Sequence, residues 1–126
     1  MMRYTDSHEW IRIEKEEATI GISAYARDQL GEIVYVELPE VGEKVMADSP
    51  VAVLESTKAA TDVYAPLSGT VIRINDALRD NITPLNVDPE SSGWLCTIRL
   101  SEEPGATHSR LHTPEAYRKL LTSPRG

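Results

Sequence analysis

Among the residues of this chain that can do chemistry, Lys58 has the most specific setting, in the middle of E-S-T-K-A-A-T-D over residues 55–62. Its neighbours Ser56, Thr57, Ala59, Ala60 and Thr61 are small or hydroxylated, so nothing bulky or cationic crowds the ammonium. Such a lysine can form a Schiff base, can be an ordinary solvated turn residue, or can be the site where a cofactor is covalently attached. A Schiff-base lysine needs an apolar, desolvating pocket to lower its pKa, and a turn lined with Ser and Thr supplies none. The symmetry around Lys58, with Glu55 three residues before and Asp62 four after, is more specific than an ordinary turn. A lysine held out in this way suits a modifying enzyme that must grasp it.

Other constellations are weak. No glycine-rich phosphate loop occurs, so nucleotide binding has no support. His108 and His112 stand four apart, a zinc spacing on a helix, but Pro104, Gly105 and Pro114 bracket them and no third ligand is evident. His8 and Glu9 could form an acid–base pair; a strand-edge histidine beside a surface glutamate is the commoner meaning. Cys96 is the only cysteine, which excludes an internal disulfide and a multi-cysteine zinc site, and W-L-C-T-I-R-L reads as buried. A net charge of -7 with scattered Lys and Arg argues against a nucleic-acid partner. It favours either basic protein partners or simple solubility. No apolar run is long enough to span a membrane, and the N-terminus has no apolar signal core, so a soluble, cytoplasmic chain is expected.

The elements that must position Lys58 are mostly strands. Residues 50–56 alternate as a strand, Val63–Ala65 resumes strand character beyond the lysine, and Pro66–Gly69 turns the chain into a further strand at 70–74. Lys58 therefore sits near the tip of a hairpin. Ahead of it, Ser7–Ile13 and Ala18–Ile22 read as an opening hairpin around a charged turn. Ser23 as N-cap and Gly31 just past the end enclose a helix over Ala24–Leu30. Glu32–Leu38 is the cleanest strand, and Val45–Ala47 restarts an extended run. Residues 75–93 read as a long loop, functional or packed on itself, before a last strand at Trp94–Leu100. Residues 101–112 read as a polar connection. Thr113 and Pro114 then open a helix over about 113–122, with Ala116, Tyr117, Leu120 and Leu121 on one face. Short strands about ten residues apart predict one mainly β domain over 1–126, a sandwich or flattened barrel trimmed by short helices.

Ordered blocks along nearly the whole chain resemble the H protein of the glycine cleavage system. They are S-H-E-W at 7–10, G-I-S-A-Y-A-R-D-Q-L-G at 21–31, V-E-L-P-E-V-G at 36–42, E-S-T-K-A-A-T-D at 55–62, Y-A-P-L-S-G at 64–69, P-L-N-V-D-P at 84–89 and G-W-L at 93–95. The resemblance implies a hybrid barrel-sandwich fold and a non-enzymatic lipoyl carrier, with lipoate amide-linked to Lys58. Biotin carriers share that fold but flank their lysine with methionines, whereas Thr57 and Ala59 flank it here. The implied partners are glycine decarboxylase (P protein), aminomethyltransferase (T protein), dihydrolipoyl dehydrogenase (L protein), and a lipoate ligase or octanoyl/lipoyl transferase that loads the lysine. In the family the loaded arm folds back onto the carrier; by position Ser7 and Glu9 match that pocket, and Asp62 is a further contributor to holding a protonated amine. Gln29 stands where some relatives carry a histidine, and Glu90 replaces a tyrosine common after the Asp-Pro pair. The alternative from the same residues is an H-like lipoyl donor, relay or redox-regulated carrier acting outside glycine cleavage.

Overall fold

Runs in which apolar residues alternate with polar ones form strands, and these pair into two antiparallel sheets. The computed structural model describes residues 2–101 and 111–122. The larger sheet contains β1 (Met2–Tyr4), β2 (Glu9–Glu14), β3 (Glu17–Ile22), β5 (Lys44–Val45), β8 (Gly69–Ile74) and β9 (Cys96–Leu100), in the order β1-β2-β3-β9-β8-β5. The smaller sheet is β4 (Ile33–Glu37), β6 (Pro50–Ser56) and β7 (Ala60–Tyr64), in the order β4-β6-β7. One apolar cluster draws on both: Ile11, Ile20, Val71 and Ile98 from the first, Ile33, Val36, Leu54 and Val63 from the second. The expected mainly β sandwich with short helices and a C-terminal helix is the architecture observed.

Helix α1 (Ala24–Leu30) crosses from one sheet to the other with the bounds its caps predict. Ser23 Oγ accepts the Ala26 N–H at 3.1 Å, satisfying one of the orphan donors of the first turn. Gly31 ends the helix at φ 82°, ψ -163°, a region open essentially to glycine alone. A second small residue is fixed by contact: Gly21 pairs across the sheet with Trp10, and a Cβ there would fall 2.6 Å from the buried indole. Trp10 Nε1 in turn donates to the Pro89 carbonyl at 2.8 Å, pinning the segment after β8 against β2.

Several expectations change. Residues 75–93 are not an unstructured loop: they contain α2 (Ala77–Asp80) and α3 (Thr83–Val87), each burying one leucine, Leu78 and Leu85. Single-turn helices are too short to print a 3.6-residue period. Packing on itself, the other part of that expectation, is what these leucines do. The strand expected at Ser7–Ile13 begins at Glu9, as β2, because Ser7 and His8 form a turn in which His8 takes φ 71°. β1 was not foreseen; it exists by pairing with β2 and bridging His112. The last strand begins at Cys96 rather than Trp94, and the run expected at Val45–Ala47 is Lys44–Val45. Helix α4 (Pro114–Thr122) forms with Thr113 Oγ1 accepting the Ala116 N–H at 3.1 Å. Its packed face is Tyr117, Leu120 and Leu121, whereas Ala116 is exposed. Most of the polar connection, His108 with it, lies outside the described residues.

Candidate functional site

The β6–β7 hairpin is closed at its tip by one side chain. Ser56 Oγ accepts the N–H groups of Lys58 (3.1 Å) and Ala59 (3.2 Å), and the Ser56 N–H donates to the Ala59 carbonyl at 2.9 Å. A hydroxyl two residues before Lys58 thus supplies the turn that its backbone needs. The Thr57 N–H donates to the Glu32 carbonyl at 3.0 Å, fastening the tip to the segment between α1 and β4. Lys58 is exposed at this tip. Its stem runs past the end of α1, with Cε 3.4 Å and Nζ 3.8 Å from where a Cβ on Gly31 would lie.

Gly31 adjoins a cleft of about 180 Å³ between α1 and β7. Its apolar lining comes from Ile22, Leu30, Leu54 and Val63, and its polar lining includes Ser7, Glu9 and Asp62. The three pocket residues expected from sequence are therefore brought together, though Glu9 and Asp62 lie far apart in the chain. Gln29 lines the same cleft.

Glu9 corrects one expectation. It is no surface glutamate but 3% exposed. Its Oε1 accepts from Thr5 Oγ1 and Ser7 Oγ, each at 2.6 Å, and its Oε2 accepts from the Tyr64 N–H at 3.2 Å. The Thr5 hydroxyl also accepts the Glu9 N–H at 3.0 Å. Three hydrogen bonds thus fix the carboxylate between this cleft and a second opening of about 330 Å³ lined by Asp6, Asp48, Tyr64 and Pro66. Asp62 stands exposed on the β7 wall.

His8 does not act with Glu9 as an acid–base pair in this geometry. Its Nδ1 lies 2.7 Å from the Tyr117 hydroxyl, and burial holds its pKa below the ordinary histidine value against the opposing charges of Glu9 and Asp6. The same Tyr117 hydroxyl lies 2.7 Å from Ser23 Oγ, and burial pushes its own pKa up. Tyr117 stacks on Tyr4 with ring centroids 4.3 Å apart. Tyr4 donates to Glu90 Oε1 at 2.5 Å, and burial, then that bond, raise its pKa. Glu90 Oε2 accepts the Ala24 N–H at 2.8 Å, so the residue in place of a tyrosine serves the start of α1. The sequence placed Tyr117 on the packed face of the C-terminal helix but gave it no link to this site, and it gave no role to Tyr25, which also lines the cleft. Both contacts depend on how distant elements dock, and no local pattern reports that.

Among the described residues no three His, Cys, Asp or Glu side chains are grouped to hold a metal ion, and no helix is long and apolar enough to cross a membrane.

Residues 2–124 match the family model described as glycine cleavage H-protein. The glycine cleavage system H protein of Rubrobacter xylanophilus is 47% identical over 118 residues, 94% of this chain and 90% of its own. That of Thermotoga maritima is 50% identical over 103 residues, covering 82% of this chain and 83% of its own. A crystal structure of a glycine cleavage system H protein from Mycobacterium marinum superposes with a TM-score of 0.85 at 33% identity, covering 97% of each chain. With a presented lysine on a fixed hairpin, an adjoining acidic cleft and matches over nearly its full length, the chain belongs to the glycine cleavage H-protein family.

Proposed function

We propose that this chain is the lipoyl carrier of glycine cleavage, with lipoate amide-linked to Lys58 Nζ, acting in the cytoplasm. The observation that carries this function is the tip itself: an exposed Lys58 on a turn fixed by Ser56, its stem lying along Gly31 beside a cleft that combines apolar walls with two carboxylates. The residues fit such an arm. Ile22, Leu54 and Val63 offer an alkyl chain a surface away from water, and Glu9 and Asp62 offer a protonated amine a negative partner. Ser7, donating to Glu9, keeps that carboxylate oriented.

When bound, lipoate supplies the dithiolane that takes up the aminomethyl group of glycine and is left reduced once that group is passed on. The chain itself presents and shelters, and makes no substrate bond. Tethering turns each encounter into an intramolecular one at high effective concentration. The partners are glycine decarboxylase, aminomethyltransferase and dihydrolipoyl dehydrogenase, with a lipoate ligase or octanoyl/lipoyl transferase forming the amide at Lys58. Coexpression with a lipoate ligase should add one lipoyl mass to the intact protein, and Lys58→Arg should remove that addition. A Lys58→Arg protein that still gains the mass would end the assignment.

A further inference from the structure

Helix α4 lies far from Lys58 in sequence and contributes nothing to the lining of the arm cleft, yet one of its side chains reaches both cleft walls. Tyr117 is 4% exposed. Its hydroxyl meets His8 Nδ1 and Ser23 Oγ, each at 2.7 Å. His8 stands between Ser7 and Glu9, the residues that bring polar groups to one wall. It does so at φ 71°, a left-handed conformation in which a non-glycine residue needs outside support. Its backbone N–H donates to Thr5 at 3.1 Å, and its carbonyl accepts the Ser23 N–H at 2.9 Å, so the turn is already tied to the start of α1. Ser23 is the N-cap of α1, and Ala26 and Leu30 of that helix form the opposite wall. A single phenol therefore joins the turn that sets Glu9 to the cap that sets α1.

The ring is held independently of the hydroxyl. It stacks on Tyr4 at an interplanar angle of 2°, and Leu120 and Leu121 pack with the pair. The apolar contacts dock α4, and the hydroxyl is left to bridge two other elements. Removing it would leave Ser23 Oγ, which is fully buried, with its Ala26 contact alone.

From this we infer that Tyr117 is a positioning residue for the arm cleft: its hydroxyl holds the Ser7–Glu9 wall and the α1 wall in register, so that the C-terminal helix sets how well a loaded arm is sheltered. The inference rests on the carrier function proposed above. It gives α4 a part in that function beyond filling a gap beside β1.

The test is Tyr117→Phe, which keeps the ring, measured first without the cofactor by amide hydrogen exchange. Exchange should quicken by about five- to tenfold at His8, Glu9 and Ala26 and stay unchanged at the hairpin tip, residues 56–60. Unchanged exchange at either wall overturns the inference. Lys58 of the variant should be lipoylated at the wild-type rate, while in the lipoylated protein the aminomethyl-loaded form should decay about five- to tenfold faster in the absence of aminomethyltransferase. A normal lifetime in the variant, with a wild-type form that outlives the same adduct on a short Lys58 peptide, also overturns it. If the wild-type form decays as fast as that peptide, the cleft shelters nothing: the carrier function loses its pocket and Tyr117 its sheltering role, while the exchange pattern still reports whether the two walls are joined. Should Tyr117→Phe unfold, Ser23→Ala, which removes one end of the bridge, must give the same exchange pattern at His8 and Glu9.

Discussion

Glu9 Oε2 accepts the Tyr64 N–H at 3.2 Å, tying the first residue of β2 in one sheet to the last residue of β7 in the other. The carboxylate is thus both a strut between sheets and a lining residue of the cleft. Replacing it with alanine leaves the hydroxyls of Thr5 and Ser7 and the Tyr64 amide without their acceptor. A loss of about 1–3 kcal/mol is expected, read by urea unfolding. Lipoylation at Lys58 should be intact, and the aminomethyl-loaded form should be shorter-lived. Equal lifetimes would remove Glu9 from the pocket, whatever the stability change.

Gly31 adopts a conformation closed to side chains just where the Lys58 stem passes. Gly31→Ala should cost about 1–3 kcal/mol through backbone strain alone, since its Cβ would meet the lysine at ordinary contact distance. Gly31→Val adds bulk beside Lys58 Cε and should slow ligase modification beyond the alanine variant. Equal modification rates for the two would show that the stem does not depend on this passage.

The Gly21–Trp10 contact leaves no space for a methyl group. Gly21→Ala should destabilise by about 1–3 kcal/mol through overpacking and weaken the indole bond to Pro89. Indole emission should move to longer wavelength in the folded variant. An unshifted spectrum would mean that the ring had kept its seat.

Cys96 is fully buried, and burial pushes its thiol up to about 12. Folded protein should therefore resist thiol reagents at pH 8 and react only as it unfolds. In the unfolded chain the thiol ionises near its ordinary value of 9.0. Stability contributed by this group is complete below that pH and falls as pH rises from 9 towards 12, because the unfolded state alone releases the proton. Cys96→Ala should flatten that slope; an identical slope would assign it to other groups.

The lysine hairpin was legible because alternation, small residues and the Ser56-to-Asp62 turn signals all lie within a dozen neighbouring positions. Helix α1 was legible for a similar reason, its cap and its terminating glycine being local. α2 and α3 were not, since one buried leucine per turn of helix leaves no period to detect. Only the resemblance grouped Ser7, Glu9 and Asp62 into one pocket. Their shared cleft depends on β2 and β7 meeting across two sheets, and the burial of Glu9 on hydroxyls from its own turn. A carboxylate in an S-H-E-W run looks solvent-facing until Thr5 and Ser7 are seen to wrap it.

The turn that carries Lys58 is assembled from parts that agree only in the finished molecule. Ser56 must cap Lys58 and Ala59, and Thr57 must find the Glu32 carbonyl, which requires β4 to have joined β6. A ligase that recognises this shape would be inspecting the chain as it labels it. Copies that have not closed the small sheet would stay blank, and only folded carriers would be loaded.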